Sequence, residues 1–356
     1  MNNSTRIVEI NELKESMVVA KDVEQDGHVL LKKDMPVTNV IIQKLRKTLF
    51  FGTIEIYDND GQTDYLAEAK KIEVYKKVEE EFNEISIRLQ RTFRIVNSSS
   101  NSKSAVGELK EFSERIKNEM KPSSVIIRNI VLKGSGTDTI YRHGVNVAAL
   151  SALIGEWVGV PNNQINKLIY SAMLHDFGKV KVDKKILNKV EPLTNTEYDA
   201  IKKHPQIGYK MLKNVEYLDK SILYGVLMHH ERENGSGYPL GIKANEIHKF
   251  AKIIAIADVF DAINSNRGYK KKKAPFEALQ IVKSESLGNL NYEYCKIFIE
   301  HIVNYYLGEK ARLSNKKVCK IIQMNVNNLD RPLVLIDDEF IDLTKEKDLY
   351  VEELVM

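Results

Sequence analysis

From Ala67 to Val96, apolar residues recur at three- and four-residue steps: Ile72, Tyr75, Val78, Phe82, Ile85, Leu89 and Phe93, with charges between them. That period predicts a long amphipathic helix, whose stripe either packs on its own domain or forms a coiled-coil seam in a homodimer. The polar run Asn97 to Ser104 reads as a linker. A second helix follows, carrying Leu109, Phe112, Ile116 and Met120 and ending before Pro122. Ahead of these, residues 5–57 read as a small mixed unit. Runs MVVAKDV and HVLLKKD are joined by Gln25-Asp26-Gly27, a hairpin signal. Thr38 is placed to cap a helix bearing Ile41, Leu45 and Leu49, and FGTIEIYD returns as a strand.

Between Ser123 and Tyr306 the pattern is almost wholly helical. Asp138 or Thr139 caps a helix with His143, Val147 and Leu150 on its inner face. Asn162 opens another through Ile165, Leu168, Ile169, Ala172 and Met173, ending at His175-Asp176 with Gly178 as its C′ residue. Thr194 and Glu197 form a capping box before the helix leading to His204-Pro205. Ser221 to His230 is a helix ending in a histidine pair, and Phe250 to Asn264 sets Asp258 and Asp261 on one face. Beyond Gly308, alternating β-like runs and the turn residues Asn327-Asn328 and Asp337-Asp338 predict a small β element. The expected fold is therefore mainly α. Its parts are an α+β region (1–66), a helical connector (67–122), a helical catalytic bundle (123–306) and a C-terminal β element (307–356).

Five histidines and two aspartates fall in the one helical block between Tyr141 and Asn264: His143, His175, Asp176, His204, His229, His230 and Asp258. Imidazole and carboxylate bind divalent ions, and bundles build such sites from facing helices. Seven ligands exceed the needs of one ion, so at least two are expected. His248 and His28 read as surface residues.

Bulk composition narrows the classes. The chain has 356 residues, 43% hydrophobic and 29% charged, with net charge +4. Basic and acidic residues are interleaved, so neither DNA nor RNA binding is expected, and Lys270 to Lys273 reads as a solvated loop. Cys295 and Cys319 lack CxxC spacing, which fits a reducing compartment. No run reaches the ~20 apolar residues of a membrane span, and the N-terminus lacks a signal-peptide core. A cytoplasmic protein without membrane contact is expected.

Taken in order, YRHGVNVA, LHDFGK, ILNKVEPLTNTEY, KKHPQIGY, HHERENGSGYP and ADVFDAINSNRGYK strongly resemble the HD-GYP family of metal-dependent cyclic di-GMP phosphodiesterases. These segments cover about half the chain. The resemblance implies an HD-type helical bundle in which the seven residues above hold two divalent ions, Fe or Mn, with Asp176 bridging. It also implies that Lys179 faces the scissile phosphate as a catalytic residue. Asp261, Arg267 and Lys270 would line the substrate. Gly237, Tyr238 and Pro239 would border the site and dock a signalling-protein partner. Members with a third metal carry a Glu four residues before the first His; Thr139 stands there, so two ions are expected. Asn234 replaces a usual Asp and Gly268 a usual Pro. These departures should weaken a supporting contact and loosen the loop around Arg267.

What the resemblance implies is bacterial second-messenger signalling: hydrolysis of cyclic di-GMP to pGpG or GMP by a water made acidic between two ions. Two alternatives stand beside it. One is a phosphodiesterase for 3′,3′-cGAMP. The other is a non-hydrolytic cyclic di-GMP sensing or docking module.

Overall fold

The computed structural model describes residues 5–355 except 15, 16, 26, 27, 36, 38–40, 44, 46–52, 58–62, 99–101, 120–122, 137, 139, 266–274, 326, 327 and 338. The chain separates into two compact units, residues 1–74 and 75–356. Thr38, Leu49, Met120, Thr139, Arg267, Gly268 and Lys270 lie outside the described residues, as does the run Lys271 to Lys273.

In the first unit, β1 (Thr5–Glu9) pairs antiparallel with β4 (Thr53–Tyr57), and β2 (Val23–Gln25) with β3 (His28–Leu31). The run MVVAKDV is not one strand. Val19 bridges Ile56, and the next strand begins at Val23. Val8, Val19, Leu31, Ile54 and Ile56 are buried in a small core of their own.

The second unit is mainly helical. Helix α1 (Thr63–Asn97) belongs to it from Tyr75 onward, and α2 runs over Ser102–Glu114. Of the polar run read as a linker, Asn97 ends α1 and Ser102 to Ser104 begin α2, while 99–101 lie outside the described residues. Of the α1 stripe, Tyr75, Val78, Phe82, Ile85, Leu89 and Phe93 are buried. From Val78 onward they join the unit's main core, so this face is covered by its own chain rather than held open as a dimer seam. Then come α3 (Ser123–Lys133), α4 (Tyr141–Trp157), α5 (Asn162–Leu174), a short α6 (Lys184–Leu187), α7 (Asn195–Lys202), α8 (His204–Leu212), α9 (Lys220–Met228), α10 (Lys249–Asn264), α11 (Pro275–Glu285) and α12 (Tyr292–Ile302). Helix α10 is apolar nearly all round, with Phe250, Ile253, Ile254, Ile256 and Phe260 buried, which makes it the centre of the bundle.

Five antiparallel strands close the unit: β5 (Lys310–Leu313), β6 (Val318–Gln323), β7 (Leu333–Ile336), β8 (Glu339–Asp342) and β9 (Val351–Leu354), in the order β8-β7-β6-β5-β9. Cys319 and Ile321 alternate with more exposed neighbours and point into the main core. Among the described residues, no helix is long and apolar enough to cross a membrane.

Candidate metal centre

Five helices deliver the seven predicted ligands to one place. Asp138 accepts hydrogen bonds from the backbone N–H groups of Ile140 (3.0 Å) and Tyr141 (2.7 Å), fixing the start of α4 and so the position of His143 in its first turn. His175 is the C-cap of α5 and His229 that of α9. His204 opens α8, where Pro205 is tolerated because a first-turn N–H needs no partner. Asp258 projects from the middle of α10.

The ring orientations have a common cause. His175, His204 and His229 each donate Nδ1–H to the carbonyl three residues back: Ala172 at 2.6 Å, Ile201 at 2.8 Å and Val226 at 2.8 Å. His143 donates Nδ1–H to Asp261 Oδ2 at 2.7 Å. Tying up Nδ1 selects the tautomer whose Nε2 carries a lone pair, which is the form a metal ion takes.

Those Nε2 atoms converge on carboxylates. His143 Nε2 is 3.1 Å from Asp258 Oδ1, and His175 Nε2 is 3.3 Å from Asp176 Oδ2. His204 Nε2 is 3.1 Å from Asp176 Oδ1 and 3.2 Å from His229 Nε2. His230 Nδ1 lies 3.9 Å from Asp258 Oδ2. Two groups result, each with ligand atoms within 4.8 Å of one another: Asp176, His204, His229 and His230, then His143, His175 and Asp258. Asp176 also lies 3.7 Å from His143 Nε2, between the two groups.

A protein interior rarely leaves polar atoms without partners. Yet His143 Nε2, His175 Nε2 and Asp176 Oδ1 are buried and make no hydrogen bond. His204 and His229 face each other through two lone pairs, an arrangement that a cation relieves. The donor set therefore fits divalent ions, and the hard carboxylates with neutral imidazoles fit Fe, Mn or Zn better than a thiolate-seeking ion.

Electrostatics agree with a cation site. Burial opposes the charge on Asp176, but Lys179 and His175 outweigh it and hold the carboxyl well below its ordinary range. Burial likewise opposes the charge on Asp258, which His143 keeps depressed. Burial also opposes the charge on His143, but Asp258 and Asp261 outweigh it and raise the ring to about 9, so that a cation would take the place of its Nε2 proton. Burial, then neighbouring His230 or His204, keeps His229 and His230 well below the usual imidazole value, hence neutral and able to ligate.

Around the cluster, the expectations divide. Lys179 follows in a 3₁₀ turn and its Nζ is 2.6 Å from Asp176 Oδ2, at the cluster's edge. Tyr238 stacks on His230 with centroids 4.6 Å apart, and Lys202 Nζ sits 5.5 Å from the Tyr238 ring. The Tyr238–Pro239 peptide is cis. Gly237 is pressed against the backbone of Glu231 and Arg232, where no Cβ fits. Asp261 is a correction. It does not line an open substrate face: it is fully buried, with one oxygen on His143 and the other accepting from Asn146 Nδ2 at 2.7 Å.

Gly178 is a second correction. It is not a left-handed C′ residue but lies inside the 3₁₀ turn, where a Cβ would overlap the carbonyl oxygen of His204. His248 is a third, since it caps α10 by accepting from Phe250 N at 3.2 Å. Asn234 stands away from the ligands, accepting from Ser236 N (2.9 Å) and donating to Asn289 (2.9 Å), so it fixes a turn.

Two supporting groups escaped the sequence reading. Glu231 is buried, and its carboxylate accepts Leu240 N at 2.6 Å and Ile242 N at 3.2 Å, pinning the loop that carries Tyr238. Its place directly after the histidine pair was the available signal. Arg142, buried beside His143, donates to Asn146, Asn129, Asn83 and Glu79. Asn146 was visible one helical turn after His143, but no pattern linked Glu79 to the site.

Comparison with known proteins fits this geometry. Residues 124–290 match the HD domain family. A cyclic di-GMP phosphodiesterase of Pseudomonas aeruginosa is 30% identical over 217 residues, 61% of this chain and 52% of the relative. A 3′3′-cGAMP-specific phosphodiesterase of Vibrio cholerae is 29% identical over 190 residues, 53% of this chain and 43% of the relative. The chain thus spans about half the length of these curated relatives. A solved HDG"Y"P protein from Bdellovibrio bacteriovorus shares the fold, with a TM-score of 0.53 at 17% identity over 84% of this chain and 99% of that one. HD domains bind divalent metal, and the clustered histidines and aspartates supply the place for it here. With its HD pair, its histidine pair and Gly237-Tyr238-Pro239 in order, the stretch 124–290 is an HD domain that is similar to those of cyclic di-GMP phosphodiesterases.

Proposed function

We propose that this protein is a metal-dependent phosphodiesterase that hydrolyses cyclic di-GMP to pGpG, and onward to GMP where the linear product rebinds. The observation that carries this reading is the buried double cluster of seven ligand atoms with orphaned nitrogens and an orphaned carboxylate oxygen. His143, His175 and Asp258 would hold one ion and His204, His229 and His230 the other, with Asp176 between them, Fe or Mn being the expected pair. When bound, two such ions activate water near neutral pH and stabilise charge on the phosphate oxygens.

The chain's own residues do the rest. Lys179, poised at the cluster's edge, presents an ammonium to a phosphate oxygen, and Arg267 and Lys270 are proposed to neutralise the rest of the dinucleotide. Tyr238, stacked on His230 at the rim, walls one side of the site. In the reaction the water oxygen bonds to phosphorus as the P–O3′ bond breaks. The water's proton ends on the departing 3′ oxygen. A cytoplasmic location follows from the substrate, which is made and used there, and the loop at 237–239 is the proposed docking surface for a signalling partner.

A second substrate, 3′,3′-cGAMP, is favoured by the Vibrio relative's specificity. The deciding experiment gives both dinucleotides to protein prepared anaerobically with Fe(II) or Mn(II) and separates products by chromatography, beside Asp176→Ala. The reading predicts pGpG from the parent and none from the variant. Faster turnover of 3′,3′-cGAMP would move the assignment to that nucleotide, and binding without product would replace it by a sensing module.

A further inference from the structure

The ligand His143 is the end of a buried hydrogen-bond chain that begins on a different helix. His143 Nδ1 donates to Asp261 Oδ2 at 2.7 Å, and Asp261 Oδ1 accepts from Asn146 Nδ2 at 2.7 Å. Asn146 Oδ1 accepts from Arg142 Nε at 3.1 Å. The guanidinium then reaches α1 and α3: Nη1 donates to Asn83 at 2.6 Å, and Nη2 to Glu79 at 2.9 Å and to Asn129 at 2.7 Å. Asn129 in turn donates to Glu79 at 2.6 Å.

Every link has one permitted direction. Arginine only donates and a carboxylate only accepts, so the Asn146 amide can be inserted one way round. Its oxygen must face Arg142 and its nitrogen Asp261. That choice leaves Asp261 ready to take Nδ1–H from His143, which turns the Nε2 lone pair toward the cluster. Arg142, Asn146, His143, Asp261 and Asn129 are all buried, so water cannot substitute for a lost partner. Arg142 is further held by Phe82 of α1, its guanidinium carbon 5.0 Å from the ring centroid. A structural ion pair needs only Arg142 and Glu79. The continuation through Asn146 to a ligand's own partner is the feature that such a pair leaves unexplained.

We propose that Arg142 and Asn146 are positioning residues of the metal centre, and that helix α1 sets the centre's metal affinity through them. This rests on the reading that His143 holds a metal ion. A displacement of α1 that pulls Glu79 and Asn83 from Arg142 frees Asn146 to rotate. Asp261 then loses one of its fixed donors, and the orientation of His143 slackens. Helix α1 thereby acts on metal occupancy rather than on substrate contacts.

The test measures Mn(II) affinity from the electron paramagnetic resonance signal of free Mn(II), with no nucleotide present. The full chain is compared with Asn146→Ala, Glu79→Gln, the double variant and Arg88→Ala, a half-buried change on the same helix outside the chain of bonds. Thermal midpoints without metal report folding separately. Asn146→Ala should bind about 10- to 100-fold more weakly, the usual effect of losing a ligand's partner. Glu79→Gln should lose about 2- to 30-fold. The double variant should be no weaker than Asn146→Ala, because the two act in series. Arg88→Ala should match the parent.

Co(II) absorption bands should shift in Asn146→Ala and Glu79→Gln but not in Arg88→Ala. Should Asn146→Ala fail to fold, the exposed Asn83→Ala removes another partner of Arg142 and predicts a smaller loss in the same direction. Affinity unchanged in Glu79→Gln, losses that multiply in the double variant, or an equal loss in Arg88→Ala would overturn the proposal. A parent that binds metal yet leaves cyclic di-GMP intact would sink the enzymatic reading and leave this one standing.

Discussion

Two dense clusters of charge sit in the same helical unit and are built on opposite plans. Between α1 and α2, Arg88 meets Glu108 at 2.9 Å and Glu111 at 2.5 Å, while Arg115, directly after α2, meets Glu84 at 2.9 Å and also Glu81. The carboxylates are partly or largely exposed and each guanidinium has several acceptors. At the metal centre the charges are buried, two lone pairs face each other across 3.2 Å, and three polar atoms lack hydrogen bonds. A satisfied, solvated network explains itself as helix packing. A buried and unsatisfied one demands something that completes it, because desolvation without compensation costs several kcal/mol per ion. Burial with orphaned atoms, rather than charge density, separates the functional cluster from the structural one.

The comparison can be broken most forcefully at Asp176. Asp176→Ala removes the carboxylate lying between the two ligand groups. It should cost about 10³-fold or more in hydrolysis, the equivalent of several kcal/mol of transition-state stabilisation, together with most bound metal. Product chromatography and elemental analysis read both.

Packing sharpens it next. Gly178→Ala would press a methyl group onto the His204 carbonyl oxygen and Gly208 N. Overpacking of this kind costs about 1–3 kcal/mol; a urea titration should show it, with metal content falling because His204 moves.

Glu231→Gln should leave the ions in place while loosening residues 237–242. Two charge-assisted bonds to backbone N–H groups are weakened, by about 1–3 kcal/mol locally, which amide hydrogen exchange at Leu240 and Ile242 would report.

The smallest effects belong to the ion pairs away from the centre. Arg88 is half-buried, paired with Glu108 and Glu111 and set over Phe112, so Arg88→Ala should cost about 1–2 kcal/mol, less in high salt, with metal content unchanged. Asp219 caps α9, the helix ending in His229, by accepting from Ser221 N, and it pairs with Lys167 at 2.7 Å. Lys167, then Ser221, hold its carboxyl below the ordinary 3.8. A depressed carboxyl contributes stability above its unfolded value and loses it as the pH falls below that value. Asp219→Asn should therefore narrow the difference in thermal midpoint between pH 7 and pH 3.

Much of this was legible in the chain. Helical period placed α1, α4, α5, α9 and α10, and the histidines and aspartates announced the centre because ligand chemistry restricts residue type. Local period cannot show what lies across a helix interface, and there the reading fell short. Asp261 resembles a substrate residue in sequence but points inward, since α10 is buried on every side and its polar groups must find internal partners. Gly178 looked like a helix terminator, yet its small size serves a backbone crossing with His204 that only the tertiary fold creates. Glu79 reads as one solvated charge among many on α1, and nothing in its neighbours announces Arg142.

The central claim is that the buried cluster is a two-ion centre. Equilibrium dialysis against Mn(II), for the parent and for Asp176→Ala, tests it most directly. The account predicts two tightly held ions per chain in the parent and a loss of tight binding in the variant. A parent that retains no tightly bound ion, or a variant that binds as well as the parent, would contradict it.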